Sequence, residues 1–131
     1  MATGGGRRLR LAGAVTLPLL CIPLAVGLAQ TTQINPYTGQ PEAIQTGRAL
    51  FLQNGCSACH GVMGGGGMGP QLLDPNWKFG GDDTTLFKLI KGQIPQQTMP
   101  KIFTALPDDE VWKLIAYVRS LYRGEPSRIV W

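Results

Sequence analysis

Cys56-Ser57-Ala58-Cys59-His60 gathers two of the chain's three cysteines and its only histidine into five consecutive residues. Three chemistries use a Cys-x-x-Cys pair. A redox dithiol sits where a strand opens into a helix, and the surrounding sequence shows no strand–helix alternation. A structural zinc site takes four Cys or His ligands. Only three such residues remain once the N-terminal signal expected below is removed, all of them in this pentapeptide. The third chemistry is covalent haem attachment, for which Cys-x-x-Cys-His is the local pattern. Two thiols add across the haem vinyl groups, and the adjacent imidazole is delivered beneath the ring as an iron ligand. On this reading Cys56 and Cys59 are the tethers and His60 is the proximal ligand.

A lone histidine excludes bis-histidine ligation within the chain. The sixth ligand is then sought among Met63, Met68 and Met99, because Met1 leaves with the signal. It must approach from the opposite face of the ring. Met63 follows His60 too closely, and Met68 lies only a short glycine-rich loop away. Met99 comes 39 residues after His60, with a helix pattern between them. Pro100 behind it stiffens the loop that presents the sulfur. Met99 is the expected sixth ligand, and Met63 and Met68 are expected to pack as loop residues at the haem edge, methionine being a common gap filler.

The N-terminus has the organisation of an export signal: Arg7, Arg8 and Arg10, then an apolar stretch from Leu11 to Leu28, then the small residues Gly27 and Ala29 flanking Leu28. Cleavage is expected after Ala29; a retained membrane anchor is the alternative reading. Losing the three arginines takes the basic count from twelve to nine against eight acidic residues, a net of +1, so the basic character is largely the signal's. Nucleic-acid binding has no support in such a balance. Cys21 leaves too, and only Cys56 and Cys59 remain.

The expected organisation is a signal peptide over 1–29, a polar leader over 30–41, one domain over 42–124 and a tail over 125–131. Pro41 and Glu42 open a helical pattern with Ile44, Gly47, Leu50 and Phe51 on one face, ending at Asn54-Gly55. Residues 61–81 form a long glycine-rich loop. Asp82-Asp83 can cap a helix carrying Leu86, Phe87, Leu89 and Ile90. A last helix begins near Pro107, with acidic residues at its positive end, Arg119 and Arg123 toward its negative end, and a stripe of Val111, Leu114, Ile115, Val118, Leu121 and Tyr122. The reading is an all-α domain of three to four helices around one covalently bound haem.

From Glu42 to Gly124 this order resembles the class I c-type cytochromes: a helix with Gly47 and Phe51, then Cys56 to Gly61, Gly69-Pro70, a middle helix, Met99-Pro100 and a final helix carrying Tyr117. The resemblance implies the cytochrome c fold, with first and last helices crossing where Gly47 meets Tyr117 or Trp112. It also implies that the Pro70 carbonyl accepts from the ring N–H of His60, orienting the imidazole. Gly67-Met68-Gly69-Pro70, Trp77 and Leu86-Phe87 are similar to cytochromes serving periplasmic quinoprotein alcohol dehydrogenases and to small cytochromes related to the third subunit of cbb3-type oxidases. The approach to the methionine, Gly92 to Thr98, departs from the glycine-rich one of the alcohol-dehydrogenase partners and leaves the particular partner open.

The expected function is single-electron transfer in the periplasm, with haem c as the one cofactor and a dehydrogenase, cytochrome complex or oxidase as partner. The alternatives are a haem enzyme or gas sensor with a labile sixth ligand, which lacks a second histidine as distal base, and a fixed subunit of a larger oxidoreductase. Trp77 is a candidate haem-side residue, either backing the ring or bonding a propionate, with a core position as the alternative. Lys78, Lys88, Lys91 and Lys101 form either a docking rim for an acidic partner or an ordinary solvated face.

Overall fold

A computed structural model of the chain describes residues 1–5 and 32–124. The core of the expected signal and the tail over 125–131 lie outside the described residues. Among the described residues four α-helices follow in order: α1 (Pro41–Gln53), α2 (Cys56–His60), α3 (Asp83–Ile90) and α4 (Asp108–Leu121), with a 3₁₀ turn at Lys101–Phe103. No strand occurs among the described residues.

Local chemistry accounts for the helix ends. Pro41 opens α1, where its missing N–H is no loss, and Glu42 lies in the first turn at the positive end of the helix dipole. Asn54 closes it, its side-chain amide donating to the Leu50 carbonyl at 2.9 Å. At α4, Asp108, Asp109 and Glu110 occupy the first turn. The helix stops at Leu121, so Tyr122, expected on the apolar stripe, stands outside it in extended conformation.

At α3 the two aspartates divide their work. Asp82 is the N-cap: its carboxylate accepts the Thr85 amide at 2.9 Å and the Thr85 hydroxyl at 2.5 Å. Burial pushes the Asp82 pKa up, but the Thr85 bonds outweigh it and hold the carboxyl below its ordinary value. A folded pKa below the unfolded one means stability present above the ordinary carboxylate range and lost as the pH falls through the folded value. Asp82→Ala is therefore expected to cost about 1 kcal/mol at neutral pH. Its deficit against the parent should narrow as the pH drops below about 4, and denaturant midpoints of the two proteins at neutral and acid pH check both statements.

Helix α4 is the centre of the fold, packed against both α1 and α3. On one side Phe51 and Leu72 close over Leu114, Tyr117 and Leu121. On the other, Leu86 of α3 packs on Val111 and Ile115. Each such side chain, fully buried, contributes about 1.5–3 kcal/mol. Being covered on two sides explains why the buried arc of α4 includes Ala116 and Tyr117 beyond the expected stripe, while Val118 is only half-buried.

The α1–α4 crossing depends on a missing side chain. A Cβ on Gly47 would lie 2.0 Å from the Lys113 carbonyl oxygen and 2.9 Å from Tyr117 Cβ. Of the two aromatics considered for this crossing, Tyr117 meets α1, its ring edge-on to Phe51 at 5.3 Å. Trp112 instead stacks on Phe87 of α3, with centroids 4.5 Å apart.

The described part of the leader is bonded to the body. Asn35 is buried, its amide N–H donating to Asp83 at 2.9 Å and its side-chain NH₂ to the Trp112 carbonyl at 2.8 Å. Tyr37 donates its hydroxyl to Asp109, and Lys113 bonds the same carboxylate at 2.6 Å. Arg119, expected only to complement the negative end of α4, turns inward and pairs with Asp83 at 2.7 Å, both side chains nearly enclosed.

Candidate functional site

Cys56, Cys59 and His60 all belong to α2, a helix just long enough to hold them, connected to α1 through Asn54 and Gly55. Both cysteines are free thiols and half-buried. Burial pushes the Cys56 thiol up, only partly opposed by its own backbone hydrogen bond, with Cys59 adding to the rise. A redox dithiol works through a cysteine whose pKa is lowered. The environment of Cys56 is of the opposite kind.

His60 is held by the loop that follows it. Its Nδ1 lies 2.8 Å from the Pro70 carbonyl oxygen. A carbonyl only accepts, so Nδ1 carries a proton, and Nε2 is the ring nitrogen left for a metal. The loop is folded back for this contact by backbone bonds: Gly66 N–H to the His60 carbonyl at 2.8 Å, and Gly69 N–H to the Cys59 carbonyl at 2.9 Å. Gly69 lies directly against the imidazole, where a Cβ would come within 2.9 Å of His60 Cε1. Any side chain there would displace either the ring or Pro70. Farther along, Leu72 N–H returns to the Gly64 carbonyl at 2.8 Å, and Leu72 itself is buried. The glycine-rich stretch is a shaped cradle anchored to α4, whose Tyr117 hydroxyl reaches the Val62 carbonyl at 3.5 Å.

Met99 stands half-buried in the loop between α3 and α4, just ahead of Pro100 and the 3₁₀ turn. Met63 and Met68 are both exposed. Gln97, to which the sequence attaches no role, makes three side-chain hydrogen bonds in the Met99 loop. Its partners are all backbone groups, so no residue type marks it out. Trp77 packs against both halves of the core, with the Arg119 guanidinium 5.8 Å from its ring centroid. The four lysines do not form a uniform rim. Lys91 is drawn into the fold, donating to the Leu106 carbonyl at 2.7 Å and pairing with Asp108 at 2.9 Å, which closes the base of the Met99 loop.

The donor set suits haem c: two free thiols at Cys-x-x-Cys spacing, and an imidazole whose Nδ1 proton is committed to a carbonyl, leaving Nε2 for a metal. With helices α1 and α4 crossed at Gly47, this defines a class I c-type cytochrome. Residues 42–118 match the family described as cytochrome c oxidase, cbb3-type, subunit III. The chain belongs to that family, an electron-transport family of c-type cytochromes with covalently bound haem c.

Among curated proteins, the chain is 33% identical over 99 residues to cytochrome c-L of Methylorubrum extorquens, covering 74% of this chain and 49% of that protein. It is 31% identical over 115 residues to a cytochrome c-553-like protein of Synechocystis, covering 85% of this chain and 100% of that protein. Among solved structures it is similar to cytochrome cL of Methylophaga aminisulfidivorans, with a TM-score of 0.65 and 34% identity, covering 73% of this chain and 64% of that one. The chain thus spans about half the length of the cytochrome c-L it matches.

Proposed function

We propose that this protein is a periplasmic single-electron carrier, with haem tethered at Cys56 and Cys59 and its iron ligated by His60 Nε2 and the Met99 sulfur. It passes electrons between a dehydrogenase or cytochrome complex and a terminal acceptor such as an oxidase. The observation that carries the reading is the His60–Pro70 hydrogen bond, which fixes the tautomer and orientation that an iron ligand requires. Held by Cys56, Cys59, His60 and Met99, the haem would supply a reversible one-electron couple, and two protein ligands to its iron would leave no open position for oxygen chemistry.

The chain's own residues set the conditions for that couple. Pro70 holds the imidazole proton and so raises the basicity of Nε2. Gly69 leaves the ring room to adopt this orientation. Thioether ligation by Met99 favours the reduced iron. Residues 1–29 direct export, which suits haem attachment to an unfolded chain outside the cytoplasm. Among the described residues no helix is long and apolar enough to cross a membrane. Membership of the cbb3 subunit III family supports an oxidase as one partner, and the resemblance of Gly67 to Pro70, Trp77 and Leu86-Phe87 to cytochromes serving alcohol dehydrogenases supports a dehydrogenase as the other.

The visible and near-infrared spectrum of the oxidised protein, followed by carbon monoxide added to the reduced form, tests the ligation. A weak near-infrared sulfur-to-iron band and no response to carbon monoxide are expected. A high-spin spectrum that shifts with the gas would instead make the protein a gas-binding sensor or enzyme. Met99→Ala should lower the reduction potential by on the order of 0.1–0.3 V, within the roughly 0.8 V over which axial ligands tune haem iron. An unchanged redox titration in that variant would remove Met99 from the iron.

A further inference from the structure

Three backbone groups that are far apart along the loop converge on one side-chain amide. Gln97 Nε2 donates to the Leu89 carbonyl at 3.0 Å and to the Met99 carbonyl at 3.0 Å. Its Oε1 accepts the Ile94 N–H at 3.1 Å. The partners fix the amide's orientation: exchanging N and O would set an oxygen against two carbonyls and an NH₂ against an N–H. Leu89 lies in the last turn of α3, and its carbonyl accepts the Gly92 N–H at 3.2 Å as well as the Gln97 amide. Gln97 therefore connects the end of a packed helix to the main chain of Met99 through a single side chain.

The neighbouring backbone shows why such a connection is needed. Gln96 sits at φ +61°, the one positive-φ residue other than glycine among the described residues. A non-glycine residue in the left-handed region is strained and persists only where its surroundings hold it. Bonds on both sides of Gln96, from Ile94 and to Met99, hold this turn. Relaxation of Gln96 toward negative φ would redirect the chain leading to Met99 and break these bonds.

We propose that Gln97 is a positioning residue for the axial methionine, holding Met99 in register against the strain at Gln96 so that the sulfur stays on the iron. This rests on the ligation by Met99 proposed above. It predicts that loss of the Gln97 donors leaves the fold in place and makes the sulfur easier to displace.

Imidazole competes with methionine sulfur for ferric iron, so the holoprotein is titrated with imidazole while the sulfur-to-iron band is followed. Gln97→Ala loses all three side-chain hydrogen bonds and should raise the apparent imidazole affinity by about tenfold or more. Gln97→Glu, nearly the same shape, keeps an acceptor for the Ile94 N–H and loses both donors, so it should shift the affinity in the same direction even if the alanine variant folds poorly. Asp82→Ala, which weakens α3 at its other end, should leave the affinity unchanged and so separates loop positioning from general destabilisation. Gln97 variants that bind imidazole as the parent does, in a protein whose Met99→Ala variant loses the band, would overturn the proposal. A band that survives Met99→Ala would overturn the ligation reading itself.

Discussion

Replacing Gly47 with alanine is expected to abolish the folded domain under ordinary expression conditions. The added methyl carbon would stand 2.0 Å from the Lys113 carbonyl oxygen and 2.7 Å from its carbonyl carbon. Both atoms belong to the α4 backbone, so no rotamer change relieves the contact. The helices must separate by more than an ångström, and the loss spreads to everything their crossing encloses: Phe51 against Tyr117, and the packing of Leu114 and Leu121. Overpacking commonly costs 1–3 kcal/mol where side chains can adjust. With two backbones in contact the cost should exceed about 4 kcal/mol, a large part of the roughly 5–15 kcal/mol that holds a domain together. Thermal melting of whatever haem-bearing protein can be isolated checks this; a melting temperature within a few degrees of the parent would show that α1 and α4 can slide apart cheaply.

A second large effect is expected at Arg119→Met. The guanidinium bonds Asp83 through Nε at 3.0 Å and Nη2 at 2.7 Å, and also reaches the Gly81 carbonyl. The same aspartate accepts the buried N–H of Asn35, so one ion pair joins α4, the start of α3 and the segment before α1. Removing the arginine leaves a carboxylate enclosed without its counter-charge, a change worth about 3–5 kcal/mol. The double variant Asp83→Asn with Arg119→Met should recover more than half of that loss, because an asparagine carbonyl still accepts from Asn35 and carries no charge. Denaturant unfolding of the two single variants and the double variant measures the coupling. Additive losses would mean that the pair contributes packing rather than electrostatics.

How much of this was legible in advance follows the range of each interaction. The three longer helices were readable because their signals are local: proline and acidic residues at the starts, apolar spacing of three and four, and Asn54-Gly55 closing α1. The thiols and the histidine were readable because their chemistry is specific and their spacing is written in consecutive residues. Met99 emerged by elimination among few candidates. Other features left no local trace. Asp82 and Asp83 look equivalent, yet one caps α3 and the other is buried against Arg119, 36 residues away. Lys91 looks like a surface charge and is a strut between α3 and α4.

The sequence alone therefore determined an all-α haem protein and named its candidate tethers, histidine and methionine, since each depends on residue type and on neighbours a few positions away. Only the tertiary structure decided which aromatic meets Gly47, where the Arg119 charge goes and that Gln97 holds the Met99 loop. The first two outcomes depend on groups brought together from distant parts of the chain, and the third on which of many nearby backbone groups a turn brings to one side-chain amide. A carbonyl or amide group is present at nearly every residue, so sequence cannot say which one a folded chain will bring within 3 Å of a given side chain.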